Sequence, residues 1–89
     1  MGDDSTEEWC VYILKCSDGT LYAGATNNMK RRLESHNDGS GANYTHSRRP
    51  VELVYQEHCG NRSEALKREA AIKKLSRREK IALLSQTER

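Results

Sequence analysis

Trp9-Cys-Val-Tyr-Ile-Leu-Lys-Cys-Ser-Asp-Gly-Thr-Leu-Tyr-Ala-Gly-Ala25 contains the turn whose register decides the fold. Trp9 to Lys15 is rich in β-branched and aromatic residues and reads as a strand, and Leu21 to Ala25 as a second, short one. Asp18-Gly19 between them marks a hairpin. Side chains alternate faces along a strand, so one residue of loop length decides where Tyr12 and Tyr22 point. A two-residue Asp18-Gly19 turn sets Lys15 opposite Tyr22 and sends the two phenols to opposite faces. A three-residue Ser17-Asp18-Gly19 loop, with Gly19 left-handed, pairs Leu14 with Tyr22 and puts both phenols on one face. The sequence permits both. Only the second lets the tyrosines share a site.

Outward from the hairpin, Met29 to His36 reads as a helix, with Thr26 or Asn27 placed to cap it. Asn37 to Arg49 is rich in Gly and Ser and reads as a loop, after which Pro50 opens a third strand, Val51 to Glu57. Asn61-Arg62-Ser63-Glu64 has the form of a capping box and starts a helix to about Leu75. Ser76-Arg77-Arg78-Glu79 is a second such box, starting a final helix to about Ser85. The pattern predicts an α+β domain: a three-stranded antiparallel sheet with three helices, in the order β-β-α-β-α-α. Residues 1–8 read as a disordered acidic tail, 9–85 as one domain and 86–89 as a frayed end.

At 89 residues, 31% charged and 35% hydrophobic, the chain suits one globular domain. No apolar run nears the ~20 residues of a membrane span, and Met1 to Glu8 lacks the basic start and apolar stretch of a secretory signal. A cytoplasmic protein with no membrane partner is the expectation. Cys10, Cys16 and Cys59 are an odd number without a Cys-x-x-Cys pair, which argues for reduced thiols and against a disulfide framework or structural zinc. The net charge of +2 hides an asymmetry. Residues 1–8 carry four acids and no base, so from Trp9 onward fifteen basic residues face nine acidic ones. A domain of net charge +6 favours a polyanionic partner.

The helical wheel turns Met29 and Leu33 inward, with His36 between them in angle and Arg32 at the edge of the same arc. Arg32 and His36 are also neighbours at i, i+4. The helix therefore offers one cation and one titratable ring to the sheet, unless Arg32 merely snorkels and His36 caps a frayed end. On the next helix Ala65, Leu66 and Ile72 set an apolar arc with Glu69 near its centre. An unpaired carboxylate there costs on the order of several kcal/mol in lost hydration. Lys73 one turn on, Arg32 across an interface, or a metal ion would answer it.

These residues resemble the GIY-YIG nuclease family. Val11-Tyr12-Ile13, Tyr22-Ala23-Gly24, Arg32, His36 and Glu69 are similar to the family's motifs in order and spacing, from Trp9 to about Leu84. Cys16-Ser17-Asp18-Gly19, Arg48-Arg49-Pro50-Val51 and Glu69-Ala70-Ala71-Ile72-Lys73-Lys74-Leu75 resemble its stand-alone, single-domain bacterial branch. That branch is related to the N-terminal domain of the excision-repair incision subunit. Two departures stand out. The first motif reads Val-Tyr-Ile, leaving the tyrosine alone, and Ala25 stands where the excision-repair relatives carry a lysine.

The resemblance implies an endonuclease that hydrolyses DNA phosphodiester bonds with one divalent ion, Mg²⁺ or Mn²⁺, in repair or recombination. It implies that Glu69 binds the metal, that Tyr12 and Tyr22 position the attacking water with one of them as base, and that Arg32 holds the phosphate. It gives His36 a part in proton transfer. A tyrosine base needs its pKa brought down, which a metal and Arg32 would do. The loop Tyr44, His46, Arg48 and Arg49 mixes an aromatic, an imidazole and two guanidiniums, suited to tracking a backbone and stacking a base, or to nothing beyond a solvated loop. The expected substrate is branched, nicked or single-stranded DNA, with selectivity from shape, a protein partner or self-association. The rival reading is a nucleic-acid-binding module on the same fold with weak or no turnover, in which Glu69 is a salt-bridged structural residue.

Overall fold

A computed structural model describes residues 8–40 and 43–86. Its elements are β1 (Cys10–Lys15), β2 (Leu21–Thr26), α1 (Met29–Asp38), α2 (Asn43–His46), β3 (Glu52–His58), α3 (Arg62–Lys73) and α4 (Arg77–Gln86). The three strands form one antiparallel sheet in the order β2-β1-β3. The expected β-β-α-β-α-α architecture is the observed one, with the single-turn α2 added inside the stretch read as loop. Residues 1–7 of the expected acidic tail and 87–89 of the expected frayed end lie outside the described residues.

The hairpin takes the three-residue loop. Leu14 pairs with Tyr22 and Tyr12 with Gly24, so both phenols leave the same face of the sheet. Cys16 N–H donates to Thr20 O and Gly19 N–H to Cys16 O, each at 2.9 Å. Gly19 sits at φ +86°, a conformation cheap only for glycine. Asp18 Oδ1 completes the loop by accepting from Thr20 N–H at 3.1 Å and Thr20 Oγ1–H at 2.6 Å.

Because β1 is the middle strand, both its faces are covered, which is why Cys10 to Leu14 is an unbroken buried run rather than an alternating one. Val11 and Ile13 pack with Ala23, Tyr55, Ala65 and Ile72 beneath α3 and α4. Tyr12 and Leu14 pack on the other side with Cys16 and Val51, against Met29 and Leu33 of α1. A bulge in β3 moves its register between Ile13↔Tyr55 and Leu14↔Leu53. The extra residue lets Tyr55 serve the first core and Leu53 the second.

Several boundaries differ from the sequence reading, for local reasons. Asn28, not Thr26 or Asn27, caps α1 by accepting from Arg31 N–H at 3.1 Å, while Thr26 Oγ1 accepts from Asn28 N–H at 3.1 Å and sets up the cap. The helix runs on to Asp38. Leu66, assigned by the wheel to the apolar arc of α3, is 41% exposed; Ala65 and Ile72 carry the burial. The capping boxes are where the sequence puts them. Asn61 accepts from Glu64 N–H at 2.9 Å, and Ser76 and Glu79 exchange bonds at 2.9 and 3.1 Å.

Candidate active site

Tyr12, on the central strand, is 0% exposed, and its phenol lies across Gly24 on the neighbouring strand. A Cβ at Gly24 would fall on the phenol oxygen and the ring carbon bearing it. The glycine of Tyr22-Ala23-Gly24 is thus a seat for Tyr12. From there Tyr12 Oη reaches His36 Nε2 at 3.1 Å and accepts from Arg32 Nε–H at 3.4 Å. His36 is also 0% exposed, and its Nδ1 lies 2.8 Å from the buried Thr45 Oγ1. The Tyr22 ring stacks edge-on to His36 with centroids 5.4 Å apart. Helix α1 supplies Arg32 and His36 from one face, as i, i+4 spacing requires.

Glu69 comes from the other layer. Helix α3 packs against β2, an edge strand, so its side chains can reach the rim where Tyr22 emerges. Lys73 Nζ is 3.0 Å from Glu69 Oε2 and 5.6 Å from the Tyr22 ring centroid. Both Tyr12 and Arg32 feel the Glu69 charge. The structure therefore brings Tyr12, Tyr22, Arg32, His36 and Glu69 into one neighbourhood, with the Glu69 side chain 20% exposed. Among the described residues, the terminal nitrogens of Arg32 have no hydrogen-bond partner, so the guanidinium has donors left for an anion.

Burial dominates the electrostatics of the two inner groups. Burial pushes the Tyr12 phenol above its ordinary value of 10.0, and the opposing pull of Arg32 does not overcome it. Tyr12 therefore carries its proton at neutral pH. Burial, and then Arg32, hold the His36 imidazole below its ordinary 6.5, which keeps the ring neutral. The folded state thus binds fewer protons than the unfolded one just below that value. The stabilising contribution is full above pH 6.5 and is lost as pH falls through the lowered folded value. Asp18 and Asp38 lie below 3.8 and titrate outside this window. We expect urea midpoints to fall between about pH 7 and about pH 5 in the parent and to fall less in His36→Asn. Equal slopes in the two proteins would remove His36 from the account.

The loop residues are less convergent. Arg48 Nε is 3.1 Å from Asp18 Oδ2, and Arg48 O accepts from Ser17 N–H at 2.9 Å, so this segment is fastened to the hairpin tip. Arg49 folds back onto its own loop and helix α1: its Nε donates to His46 O at 2.8 Å and its Nη1 to Asn37 O at 3.4 Å. His46 is exposed beside Arg49 in a shallow surface pocket that also includes Asn37, Ser47 and Pro50. The Tyr44 side chain lies outside the described residues. Cys10, Cys16 and Cys59 are all free and buried. Burial raises the thiol pKa of Cys10 and of Cys59. Sequence reasoning missed Thr45, whose place beside His36 no local pattern announces.

Among the described residues no three His, Cys, Asp or Glu side chains gather as a metal cage. Glu69 alone fits an ion that keeps most of its waters, as Mg²⁺ does. Lys73 is half-exposed, and an i, i+4 ion pair of this kind is worth only about 0.3–0.5 kcal/mol, so Lys73 is a weak competitor for the carboxylate.

A sheet of order β2-β1-β3 with a tyrosine on each hairpin strand, an Arg and His on the following helix and a Glu across the edge describes a nuclease class. The chain belongs to the GIY-YIG family: the GIY-YIG catalytic domain matches residues 8–82. It is 56% identical over 82 residues to a UPF0213 protein of Desulfotalea psychrophila, covering 91% of this chain and 74% of that one. It is 58% identical over 77 residues to a UPF0213 protein of Syntrophus aciditrophicus, covering 85% and 88%. Two solution structures are similar. One is a UPF0213 protein of Bacillus halodurans (41% identical, TM-score 0.59, covering 90% of this chain and 85% of that one). The other is a protein of E. faecalis (46%, TM-score 0.61, covering 89% and 84%). Among the described residues no helix is long and apolar enough to cross a membrane.

Proposed function

We propose that this chain is a divalent-metal-dependent endonuclease that hydrolyses DNA phosphodiester bonds in the basin between Tyr12, Tyr22, Arg32, His36 and Glu69. The observation that carries the reading is the buried contact of Tyr12 Oη with both His36 Nε2 and Arg32 Nε, within electrostatic reach of the partly exposed Glu69 carboxylate. A phosphate entering the basin is met by the terminal nitrogens of Arg32, which bind it and neutralise charge as it develops. Tyr22 walls the basin and orients the attacking water. Because Tyr12 is protonated, it takes a proton from that water only by passing its own to His36.

The hydroxide so formed attacks phosphorus while the bond to the leaving sugar oxygen breaks. That oxygen takes a proton from solvent, and the imidazolium later returns its own. Glu69 is the residue to hold a divalent ion, whose charge would add Lewis-acid stabilisation at the phosphate. Basic residues of the surrounding surface, with His46, Arg48 and Arg49 of the loop that is fastened to the hairpin tip, supply salt-sensitive backbone contacts. The Arg48–Asp18 pair is half-exposed and easily exchanged for a phosphate. DNA repair or recombination is the setting we propose for this activity.

The Lys73–Glu69 bridge favours a second reading, a DNA-binding module in which Glu69 is structural. One assay separates the two. Duplex, nicked, branched and single-stranded DNA are incubated with Mg²⁺ or Mn²⁺, with and without chelator. Cleavage that stops on chelation and falls by roughly 100-fold in folded Arg32→Ala is expected. Salt-sensitive binding with no metal-dependent products would instead establish the module.

A further inference from the structure

We infer that Thr45 is a positioning residue that fixes the tautomer of His36, leaving Nε2 free to accept the Tyr12 proton. The inference deepens the function proposed above and rests on it for its catalytic consequence, though the tautomer itself is a property of the resting fold.

The argument is a proton inventory. Tyr12 is wholly buried, and its phenol proton needs an acceptor. Among the described residues, two groups lie within hydrogen-bond distance of Tyr12 Oη: Arg32 Nε and His36 Nε2. A guanidinium nitrogen donates and never accepts. The Tyr12 O–H therefore points to His36 Nε2, which must be unprotonated. A neutral imidazole has one N–H, so the proton sits on Nδ1. The acceptor facing Nδ1 is Thr45 Oγ1 at 2.8 Å, itself buried. The Tyr12 and His36 protons then each have an acceptor, and no buried polar side-chain atom of the described residues is left without a partner.

The fold explains why Thr45 stays there. It lies in α2, between α1 and β3, and its carbonyl accepts from Arg48 N–H at 3.0 Å. Arg48 is in turn bound to Asp18 and Ser17 at the hairpin tip. The hairpin that presents the tyrosines and the turn that holds the imidazole are thus one clasped unit. Removing the Thr45 oxygen leaves Nδ1–H unpaired. Either tautomer then strands one buried donor, Nδ1–H or the Tyr12 O–H, so the preference for Nδ1 is lost and the relay is closed for part of the population.

Side-chain ¹⁵N NMR of His36 tests this directly, with cleavage kinetics beside it. The parent is expected to show a protonated-type Nδ1 and an unprotonated-type Nε2. Thr45→Ser should keep that pattern and near-parental kcat. Thr45→Val should weaken or reverse it and lower kcat by roughly 10–100-fold with KM little changed. A parent spectrum with the proton on Nε2, or a folded Thr45→Val with the parental pattern, overturns the inference. So does a kcat loss in Thr45→Ser as deep as in Thr45→Val. If the valine variant does not fold, the parent and serine spectra still decide the tautomer. If the parent cleaves no DNA, the proposed function fails while the spectra still judge Thr45.

Discussion

Glu69→Ala is expected to abolish metal-dependent cleavage, a loss of at least roughly 100-fold, in a protein that stays folded. The fold should survive because the lost i, i+4 pair with the half-exposed Lys73 is weak. Metal affinity provides a readout apart from turnover. Mn²⁺ binding, followed by electron paramagnetic resonance, should vanish in Glu69→Ala and tighten several-fold in Lys73→Gln, where the competing ammonium is gone. A folded Glu69→Ala protein that cleaves like the parent would mean a contaminating nuclease or another site. Unchanged Mn²⁺ affinity in both variants would return Glu69 to a structural role.

Gly24→Ala should be nearly as damaging, for a steric reason. The added methyl meets the Tyr12 phenol, which is buried and hydrogen-bonded to His36 and Arg32, so relief requires the ring to leave its partners. Overpacking of this kind costs about 1–3 kcal/mol, a fall in Tm of roughly 10 °C for a domain this small. Gly19→Ala is the comparator. Its methyl meets nothing within 4 Å, but the φ of +86° makes any side chain pay about 1–2 kcal/mol in backbone strain. Both variants should melt early, and only Gly24→Ala should also lose most of its kcat below its Tm. Equal activity in the two would show that the seat beneath Tyr12 does not matter to the chemistry.

Much of this fold was legible because its signals are local. The two capping boxes start their helices at the residues that announce them, and the strand-forming run Trp9–Lys15 is the central strand. The hairpin was legible only as a choice of two registers. The sequence states no preference between Lys15 and Leu14 as the partner of Tyr22, and the packing of Tyr12 and Leu14 under α1 makes it. Thr45 was illegible. Its importance comes from a contact to His36 made by a single helical turn inside a Gly- and Ser-rich stretch, where periodicity has nothing to count. The exposure of Leu66 was missed because a wheel locates a face without saying how much of it the sheet covers. Nor does strand periodicity reveal that burial of the Tyr12 ring outweighs the pull of one neighbouring guanidinium.

The three inward-lying thiols make the chain a convenient host for chemical probes. Since Cys10, Cys16 and Cys59 are all shielded from solvent, a maleimide dye will prefer a cysteine engineered onto an outer helix position such as Lys67. Fluorophores for watching DNA engagement can then be attached without stripping the native sulfur from the interior.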